Sequence, residues 1–320
     1  MLLKKFIPFN IKQFIRKYIP YFKVKLISDL PIEKRAEGLK ALYERKTGKK
    51  LNFNELTLFT EKLQWYKLFY ENPVMKQCVD KYTFKEHIRK NLGDGYTAKV
   101  LAVWNKPSDV KVKKINADKF VIKSNCSSDG NFIMIVTDKN SLNIKNAERE
   151  IKESWFNEEK LLINSYCRAY YNVKPRVIVE EFIEEFANAA NDYKVFCFNG
   201  KPEMIYVAQE HFDCNNNNNA DSYFVTFYDL NWNKLDISYG QHPVNTNVSR
   251  PKHLAEMIQI SKKLSADFPF VRVDFFDTDE KLYMAELTFY PGGGFVAYKP
   301  ESVDILMGRK FCIPQRSYKV

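Results

Sequence analysis

The chain has 320 residues, 45% hydrophobic and 15% aromatic, which is enough for a large core in two or three lobes and excludes a disordered protein. The net charge of +11 is concentrated in residues 1–50, which hold 14 Lys/Arg and 4 Asp/Glu, so the remaining chain is close to neutral and no nucleic-acid partner is expected. The six cysteines form no CxxC pair and no metal-like spacing with the four histidines, which favours a reducing compartment over a zinc site or a disulfide framework.

Residues 1–28 form a basic amphipathic segment. Between Pro8 and Pro20, apolar residues at 11, 14, 15, 18 and 19 recur at helical spacing, with Lys12, Arg16 and Lys17 on the opposite side. This pattern predicts a helix on an anionic membrane surface, and hence a cytoplasmic protein that is peripheral on the inner face of the cell membrane. The apolar runs are too short to span a bilayer or to act as a signal peptide. The alternative is a helix that packs on the protein's own core.

Helical patterns continue through the rest of residues 1–50, which we interpret as a basic helical membrane-attachment region, and beyond it predict a helical domain over 51–115. One helix spans 32–48 and ends near Gly48, and another in TLFTEKLQWYKLFYENP stops at Asn72–Pro73. A third, PVMKQCVDKYTFKEHIRKNLG, starts at Pro73 and ends at Gly93. Lys81 lies on this last helix, where a lysine is ordinarily solvated.

From Phe120 the period changes to two, which predicts strands. FVIKSN and NFIMIVTD are strand patterns joined by the small polar loop 126–130, and Lys123 ends the first strand. Such a lysine could hold phosphate oxygens while the loop covers them, or it could be a surface lysine on a plain hairpin. RVIVEEFI at 176–183 predicts a buried central strand that ends in two carboxylates.

The following segments are also strand-rich. DYKVFCFNGKPEMIYVAQ predicts a hairpin with its turn at Asn199–Gly200, and Lys194 alternates there against apolar neighbours. The five asparagines 215–219 predict a mobile surface loop, and 251–266 predicts a helix. The fold class is therefore α+β, with mostly antiparallel sheets.

The segment 270–294, FVRVDFFDTDEKLYMAELTFYPGGG, carries the strongest functional pattern. Its odd positions predict one buried face that includes Tyr283 and Ala285, while the even positions bring Arg272, Asp274, Glu286 and Thr288 together on the other face. Two carboxylates and a hydroxyl beside an arginine are typical of a magnesium site on nucleotide phosphates, although a solvated hairpin face has the same pattern. The glycines 292–294 predict a close approach of the backbone to another group, which favours a site.

Taken together, the elements resemble the ATP-grasp fold, in which two α+β lobes close on ATP. The matching motifs are EKLQWYKLFYENP, VDKY, FVIKSN, VEEFI, DYKVFCFNGKP, YDLNW, FPFVRVDFF and AELTFYPGGG. They are similar to the TupA-like branch, which is associated with teichuronopeptide and capsular polysaccharide synthesis, over residues 51 to 308. The resemblance implies a small lobe at 116–185 and a C-terminal lobe with the metal site at 186–320.

The resemblance also implies roles for individual residues toward ATP and Mg²⁺. Lys81 and Lys123 would contact phosphates, with Lys194 a weaker candidate near the nucleotide. Ser127, Ser128 and Gly130 would form the covering loop, although Asp129 adds an unfavourable negative charge there. The residues implied at the interlobe hinge, for adenine and ribose, are Glu180, Glu181 and Ile183.

Asp274 and Glu286 would bind Mg²⁺, and Arg272 would face the transferred phosphate. Thr288 stands where the superfamily more often has asparagine, so it would be a weaker metal ligand or none. The implied activity is ATP-dependent ligation of a uronic acid of a cell-surface glycan to an amino acid or amino sugar.

The sequence is also compatible with other activities. A glycosyltransferase would need a nucleotide-sugar site, and its DxD signature is matched in letters by DTD at 277–279, which we interpret as a hairpin turn. A kinase-like transfer of phosphate and a non-catalytic assembly factor are also compatible with the same fold, because a fold does not determine its chemistry.

Overall fold

The computed structural model describes residues 30–125, 132–154, 166–170, 173–187, 191–210, 223–245 and 248–314. The predictions for segment 1–28, for Ser127, Ser128 and Gly130, and for the asparagines 215–219 lie outside these residues. The α-helices of the described part are α1 (Ile32–Thr47), α2 (Phe59–Phe69), α3 (Pro73–Val79), α4 (Lys81–Leu92), α5 (Ile144–Ser154), α6 (Glu184–Ala187), α7 (Leu254–Ser265) and α8 (Glu301–Lys310).

The strands pair in antiparallel fashion in three sheets. The strands are β1 (Val100–Trp104), β2 (Phe120–Ser124), β3 (Ile133–Val136), β4 (Val177–Glu181), β5 (Asp192–Phe198), β6 (Lys201–Glu210), β7 (Tyr223–Tyr228), β8 (Lys234–Leu235), β9 (Ser238–Tyr239), β10 (Phe270–Asp277), β11 (Leu282–Thr288) and β12 (Tyr298–Lys299). The small sheet has the order β1-β4-β2-β3 and the large sheet β11-β10-β5-β6-β7-β8, while β12 pairs with β9.

The N-terminal helices follow their predicted ends with one exception. Helix α1 ends at Gly48, which has a φ of 73°, and Asn72 caps α3 by accepting from the Val74 N–H. The single helix predicted from Pro73 to Gly93 is wrong, because the chain leaves helical geometry at Asp80. The Asp80 carboxylate accepts from the Tyr82 N–H and starts α4, so Lys81 is the first residue of a helix.

The small sheet packs its apolar face in a separate core. Phe120, Ile122, Val177 and Val179 are buried there together with Ile151 of α5. Strand β4 lies between β1 and β2, which confirms the predicted central strand. Strand β1 was not predicted: it falls in the range predicted to be helical and instead pairs with β4.

The large sheet contains both predicted hairpins. The β5–β6 turn has positive φ angles at Asn199 and Gly200, as its Asn-Gly sequence predicts. In the β10–β11 hairpin, Asp274 pairs with Glu286, but a bulge follows and Phe275 pairs with Met284. The predicted alternation through Ala285 and Tyr283 is therefore wrong: Ala285 is the extra residue of the bulge, and Tyr283, although buried, pairs with Phe276 and so lies on the other face from Leu287.

Helices cover both faces of the large sheet. On one face, Phe59 of α2 packs with its ring centre 4.8 Å from that of Phe270, and Tyr66 donates a hydrogen bond to the Phe270 carbonyl. Helix α8 is tied to α2 because Asp304 accepts from both the backbone and the hydroxyl of Thr60. Helix α7 packs against β5, β6 and β10. The face of the large sheet that packs against α2 also carries the polar residues of the β10–β11 hairpin, in the part that the helices leave open.

Candidate functional site

The β10–β11 hairpin brings four predicted residues together. Arg272 donates to both oxygens of Asp274, at 2.8 and 2.5 Å, and to the Thr288 hydroxyl at 3.2 Å. Thr288 in turn donates to Glu286 at 2.8 Å. Asp274 is fully buried, so its charge is balanced by these contacts and not by water. The alternation predicts this grouping, and the structure shows it.

Lys194 joins this group from the neighbouring strand. It pairs with Asp274 across the sheet, its ammonium lies 3.3 Å from the Asp274 carboxylate, and it also contacts Asp192. Lys194 therefore lies inside the polar cluster, whereas the sequence marked it only as a weaker candidate.

The small sheet contributes a second group of charges. Lys123 of β2 lies 2.7 Å from one oxygen of Glu180, and Lys85 of α4 lies 2.9 Å from the other. Glu181 points elsewhere, because it accepts from the Lys99 backbone N–H, and Ile183 is buried. Of the three hinge residues predicted from the resemblance, only Glu180 touches the lysines.

The start of α4 connects the two groups. The Lys81 backbone N–H donates to the Asn125 carbonyl at the end of β2, while its ammonium donates to Glu286 of β11 at 3.0 Å. Asp80 beside it accepts from Arg176 at 2.9 Å, just before β4. Lys81 is thus fixed between the two sheets by its neighbours as well as by its own side chain.

Electrostatic interactions link the charged residues of the hairpin, the small sheet and α4 into one cluster. Burial opposes the charge of Lys81, but Glu286, Glu180 and Asp274 outweigh it and raise the pKa of Lys81. Burial likewise opposes ionisation of Glu286, yet Lys81, Arg272 and Lys194 hold the pKa of Glu286 well below its usual range. Burial lowers the pKa of Lys123 despite Glu180. Charges from both sheets and from α4 therefore act on each other across the space between the sheets.

The TupA-like ATP-grasp sequence family matches residues 61–312. The chain belongs to the TupA-like ATP-grasp family. It accordingly has the ATP-grasp fold. No curated protein matches it significantly.

Several solved structures resemble this TupA-like ATP-grasp chain. D-alanine–D-alanine ligase from Bacillus anthracis is 17% identical with a TM-score of 0.40, over 66% of this chain and 57% of the ligase. L-amino acid ligase from Bacillus licheniformis is 13% identical with a TM-score of 0.39, over 69% and 43%. D-cycloserine synthetase DcsG is 14% identical with a TM-score of 0.38, over 74% and 72%. The chain thus matches about half the length of the first two proteins.

The hairpin of the TupA-like ATP-grasp chain fits Mg²⁺ by its chemistry. Among the described residues, no group of three or more His, Cys, Asp and Glu is placed to hold a metal ion unaided. Mg²⁺, however, commonly takes one or two carboxylates and completes its shell with phosphates and water. Asp274, Glu286 and the Thr288 hydroxyl form such an oxygen-only donor set.

An apolar patch beside Lys123 escaped the sequence analysis. Ile133 and Ile135 of β3 are 50% and 52% exposed. They pair with Lys123 and Val121, so they share the face that carries Lys123 and Glu180. The alternation of NFIMIVTD indicates a strand, but only the structure shows that β3 is an edge strand that leaves these two isoleucines exposed. An exposed apolar surface next to a cationic group suits a nucleoside base with a phosphate tail.

The glycines 292–294 do approach other groups closely, as predicted. Their φ angles are 55°, 60° and 66°, and the Gly294 carbonyl accepts from Gln64 of α2 at 2.8 Å. Lys67 of α2 donates to the Gly293 carbonyl. These neighbours belong to the protein itself, so the glycine turn joins the site hairpin to α2.

The DTD sequence at 277–279 lies at the hairpin turn. The Thr278 N–H donates to the Lys281 carbonyl, and its hydroxyl accepts from the Lys281 N–H. His253 contacts the Asp277 carboxylate at 2.5 Å. The interpretation of this motif as a turn is confirmed.

Proposed function

We propose that the protein is an ATP-dependent carboxylate–amine ligase that joins a uronic acid of a cell-surface glycan to an amino acid or amino sugar. The observation that carries the proposal is the cluster in which Lys81 and Arg272 contact Glu286 and Asp274, with the Lys123–Glu180 pair of the small sheet beside Lys81. Membership in the TupA-like ATP-grasp family supports the nucleotide and the reaction class.

ATP would lie between the sheets. Lys81 and Lys123 would exchange their carboxylate partners for phosphate oxygens, and Lys194 would lie close to the same phosphates. The exposed Ile133 and Ile135 would contact the adenine, and Glu181 and Ile183 would lie near the base and ribose at the hinge. Ser127, Ser128 and Gly130 would cover the phosphates, as the family resemblance implies.

The reaction would take place in two steps. A carboxylate oxygen attacks the γ-phosphorus, the bond to the bridging oxygen of ADP breaks, and an acyl phosphate forms. The amine nitrogen then attacks the acyl carbon, inorganic phosphate leaves, and the nitrogen loses a proton. Arg272 would offset charge on the transferred phosphoryl group. Asp274, Glu286 and Thr288 would hold Mg²⁺, which would neutralise part of the phosphate charge.

The proposed substrates and the proposed cellular location of the protein depend on fewer observations. The glycan and the amine are proposed from the branch of the family alone. The basic segment 1–28 supports a peripheral position at the inner face of the cell membrane, where lipid-linked glycans are found. No helix in the described ranges is long and apolar enough to cross a membrane.

Thermal stability with different ligands tests the nucleotide and metal roles. At 100 times its dissociation constant, Mg-ATP should stabilise the protein by about 2.7 kcal/mol, whereas Mg²⁺ alone or a Mg-UDP-sugar should not. Glu286→Gln should abolish the shift. Glu86→Gln is the matched control, because Glu86 is an exposed residue of α4 that pairs with Arg89 on the same helix.

The outcome decides between activities. If Mg-ATP raises the melting temperature of the wild type and of Glu86→Gln but not of Glu286→Gln, the ligase assignment is supported. Uronic acids and amines should then be screened for ADP release. Stabilisation by a UDP-sugar and not by ATP would contradict the ligase assignment and favour glycosyl transfer. No shift with either ligand would contradict both.

A further inference from the structure

The face of the large sheet that carries the candidate site continues beyond Lys194 as a row of aromatic rings. Tyr206 of β6 pairs with Lys194, which itself pairs with Asp274, so the three side chains share one face. The guanidinium carbon of Arg272 lies 5.9 Å from the centre of the Tyr206 ring. The aromatic row therefore begins in direct contact with the candidate site.

The row ends in a half-buried pair. Tyr223 of β7 and His242 stack with their ring centres 4.0 Å apart and their planes at 29°. The Tyr206 hydroxyl is hydrogen bonded to Tyr223, and His242 lies 5.9 Å from Tyr239, nearly parallel to it. Tyr206 and Tyr239 are 3% and 5% exposed, whereas Tyr223 and His242 are only partly covered. The row thus leads from Arg272 to an accessible stacked pair.

A buried polar atom lies behind the row. The Tyr298 hydroxyl is buried and has no hydrogen-bond partner among the described residues, and its ring centre is 5.2 Å from that of Tyr239. A purely structural core would be filled at lower cost by phenylalanine, because an unpaired buried hydroxyl costs about 1–3 kcal/mol. Among the rings of the row, the partly covered Tyr223 and His242 present a hydroxyl and an imidazole edge, which suit a ligand that combines an apolar ring face with many hydroxyl groups.

We propose that Tyr223 and His242, backed by Tyr206, form the subsite for the pyranose ring of the carboxylate substrate. The apolar face of a sugar ring would stack on the pair, its hydroxyls would bond to the polar edges, and its carboxylate would point toward Arg272. This inference rests on the proposed function, because that function gives Arg272 its role beside the reacting carboxylate. The alternative is that the pair only closes the edge of the core.

Saturation-transfer NMR on the full chain with Mg-ADP tests the subsite. The probes are methyl β-glucuronoside and the neutral methyl β-glucoside. The wild type should show ring-proton signals with the glucuronoside and weaker signals with the glucoside. Tyr223→Leu and His242→Leu should each bind the glucuronoside about tenfold more weakly, as expected for loss of one aromatic stack.

Phe53→Leu is the control, because Phe53 is a partly buried ring that packs on Phe69 in a different apolar cluster. It should retain the sugar signals. The Mg-ATP melting shift, measured on every variant, shows that the site is intact and reports separately on the proposed function. If the wild type shows the shift but no sugar signal, or if Tyr223→Leu and His242→Leu bind like the control, the subsite is refuted while the nucleotide site stands. Sugar binding without an ATP shift would refute the ligase, and with it the role of the pair as the subsite of the carboxylate substrate, and would leave only a sugar-binding surface.

Discussion

Lys67 is a buried lysine whose environment contains no carboxylate contact among the described residues. It is 1% exposed, donates to Gln64 at 2.8 Å and to the Gly293 carbonyl, and lies 4.1 Å from the ring centre of Phe295. Burial lowers the pKa of Lys67 to about 8. Its charge at neutral pH is therefore a cost to folding that the carbonyl and ring contacts offset in part.

The pH dependence of stability should reveal this lysine. Between about pH 8 and 10.5 the unfolded chain keeps the proton that the folded protein has lost, so the free energy of unfolding rises with pH in this window. The cost is fully present below pH 8 and absent above 10.5. Relative to Lys67→Met, the wild type should gain about 3 kcal/mol across the window, measured by urea unfolding. A constant difference between the two proteins would contradict the role of Lys67.

Single residues differ in how far the sequence predicts them. The grouping of Arg272, Asp274, Glu286 and Thr288 follows from alternation, because cross-strand neighbours in a hairpin depend on local register. Arg176 could not be found in this way, since its partner Asp80 lies 96 residues away. Lys85 offered a signal that was not used: it lies one helical turn beyond Lys81 and so faces the same direction.

Among the elements, the glycine turn after β11 is tightly constrained. At Gly294, which has a φ of 66°, an added β-carbon would lie 2.9 Å from the Leu63 β-carbon and closer still to the Gln64 amide. Gly48 has a similar φ of 73°, yet nothing lies within 4 Å of an added β-carbon. The two glycines therefore separate the cost of backbone conformation from the cost of crowding.

Alanine substitutions at these glycines should differ in their effect. Gly48→Ala should cost about 1 kcal/mol from left-handed backbone alone. Gly294→Ala should cost clearly more, because α2 must move away from the turn, and it should also weaken the Mg-ATP shift through the attached hairpin. Urea midpoints and nucleotide melting shifts measure the two effects. Equal losses of stability would show that α2 yields without cost.

Element boundaries were hardest to predict where a cap or a bulge interrupts a pattern. The apolar spacing of 73–92 continues through Asp80, and neither glycine nor proline marks the break there. Arg176 and the Tyr82 N–H stabilise Asp80 at the break, and only the fold brings Arg176 close. Likewise, the bulge at Ala285 leaves the alternation of residue types intact while it changes which residues face each other.

At the scale of the molecule, charge is divided unevenly between the basic N-terminal region and a nearly neutral body. Removal of residues 1–28 should shift the protein from the membrane fraction to the soluble fraction and abolish binding to vesicles with anionic lipid. The Mg-ATP melting shift should persist, because α1 and the site lie outside this segment. Unchanged partitioning, or equal binding to neutral vesicles, would contradict an electrostatic attachment.

The overall architecture was more predictable than its details. Strand and helix periods, with the Asn199–Gly200 turn, are local signals, and together they indicate an antiparallel α+β protein. The assignment of β1 to the small sheet was not accessible in this way, because β1 pairs with β4, which lies far along the chain. Pairing between distant segments depends on the assembled core and leaves little trace in either segment alone.

The pairs Lys81–Glu286 and Lys123–Glu180 also have a consequence for turnover. A free metal ion would have to displace Lys81 from Glu286 and leave the ammonium without a partner, whereas a metal–nucleotide complex brings a phosphate to receive it. Metal and nucleotide should therefore bind as a cooperative pair, each strengthening the other by the same factor. Under the proposed function, the carboxylates would recover their lysines when ADP leaves, so product departure would leave no unbalanced charge in the cleft and the protein would return directly to a state ready for the next cycle.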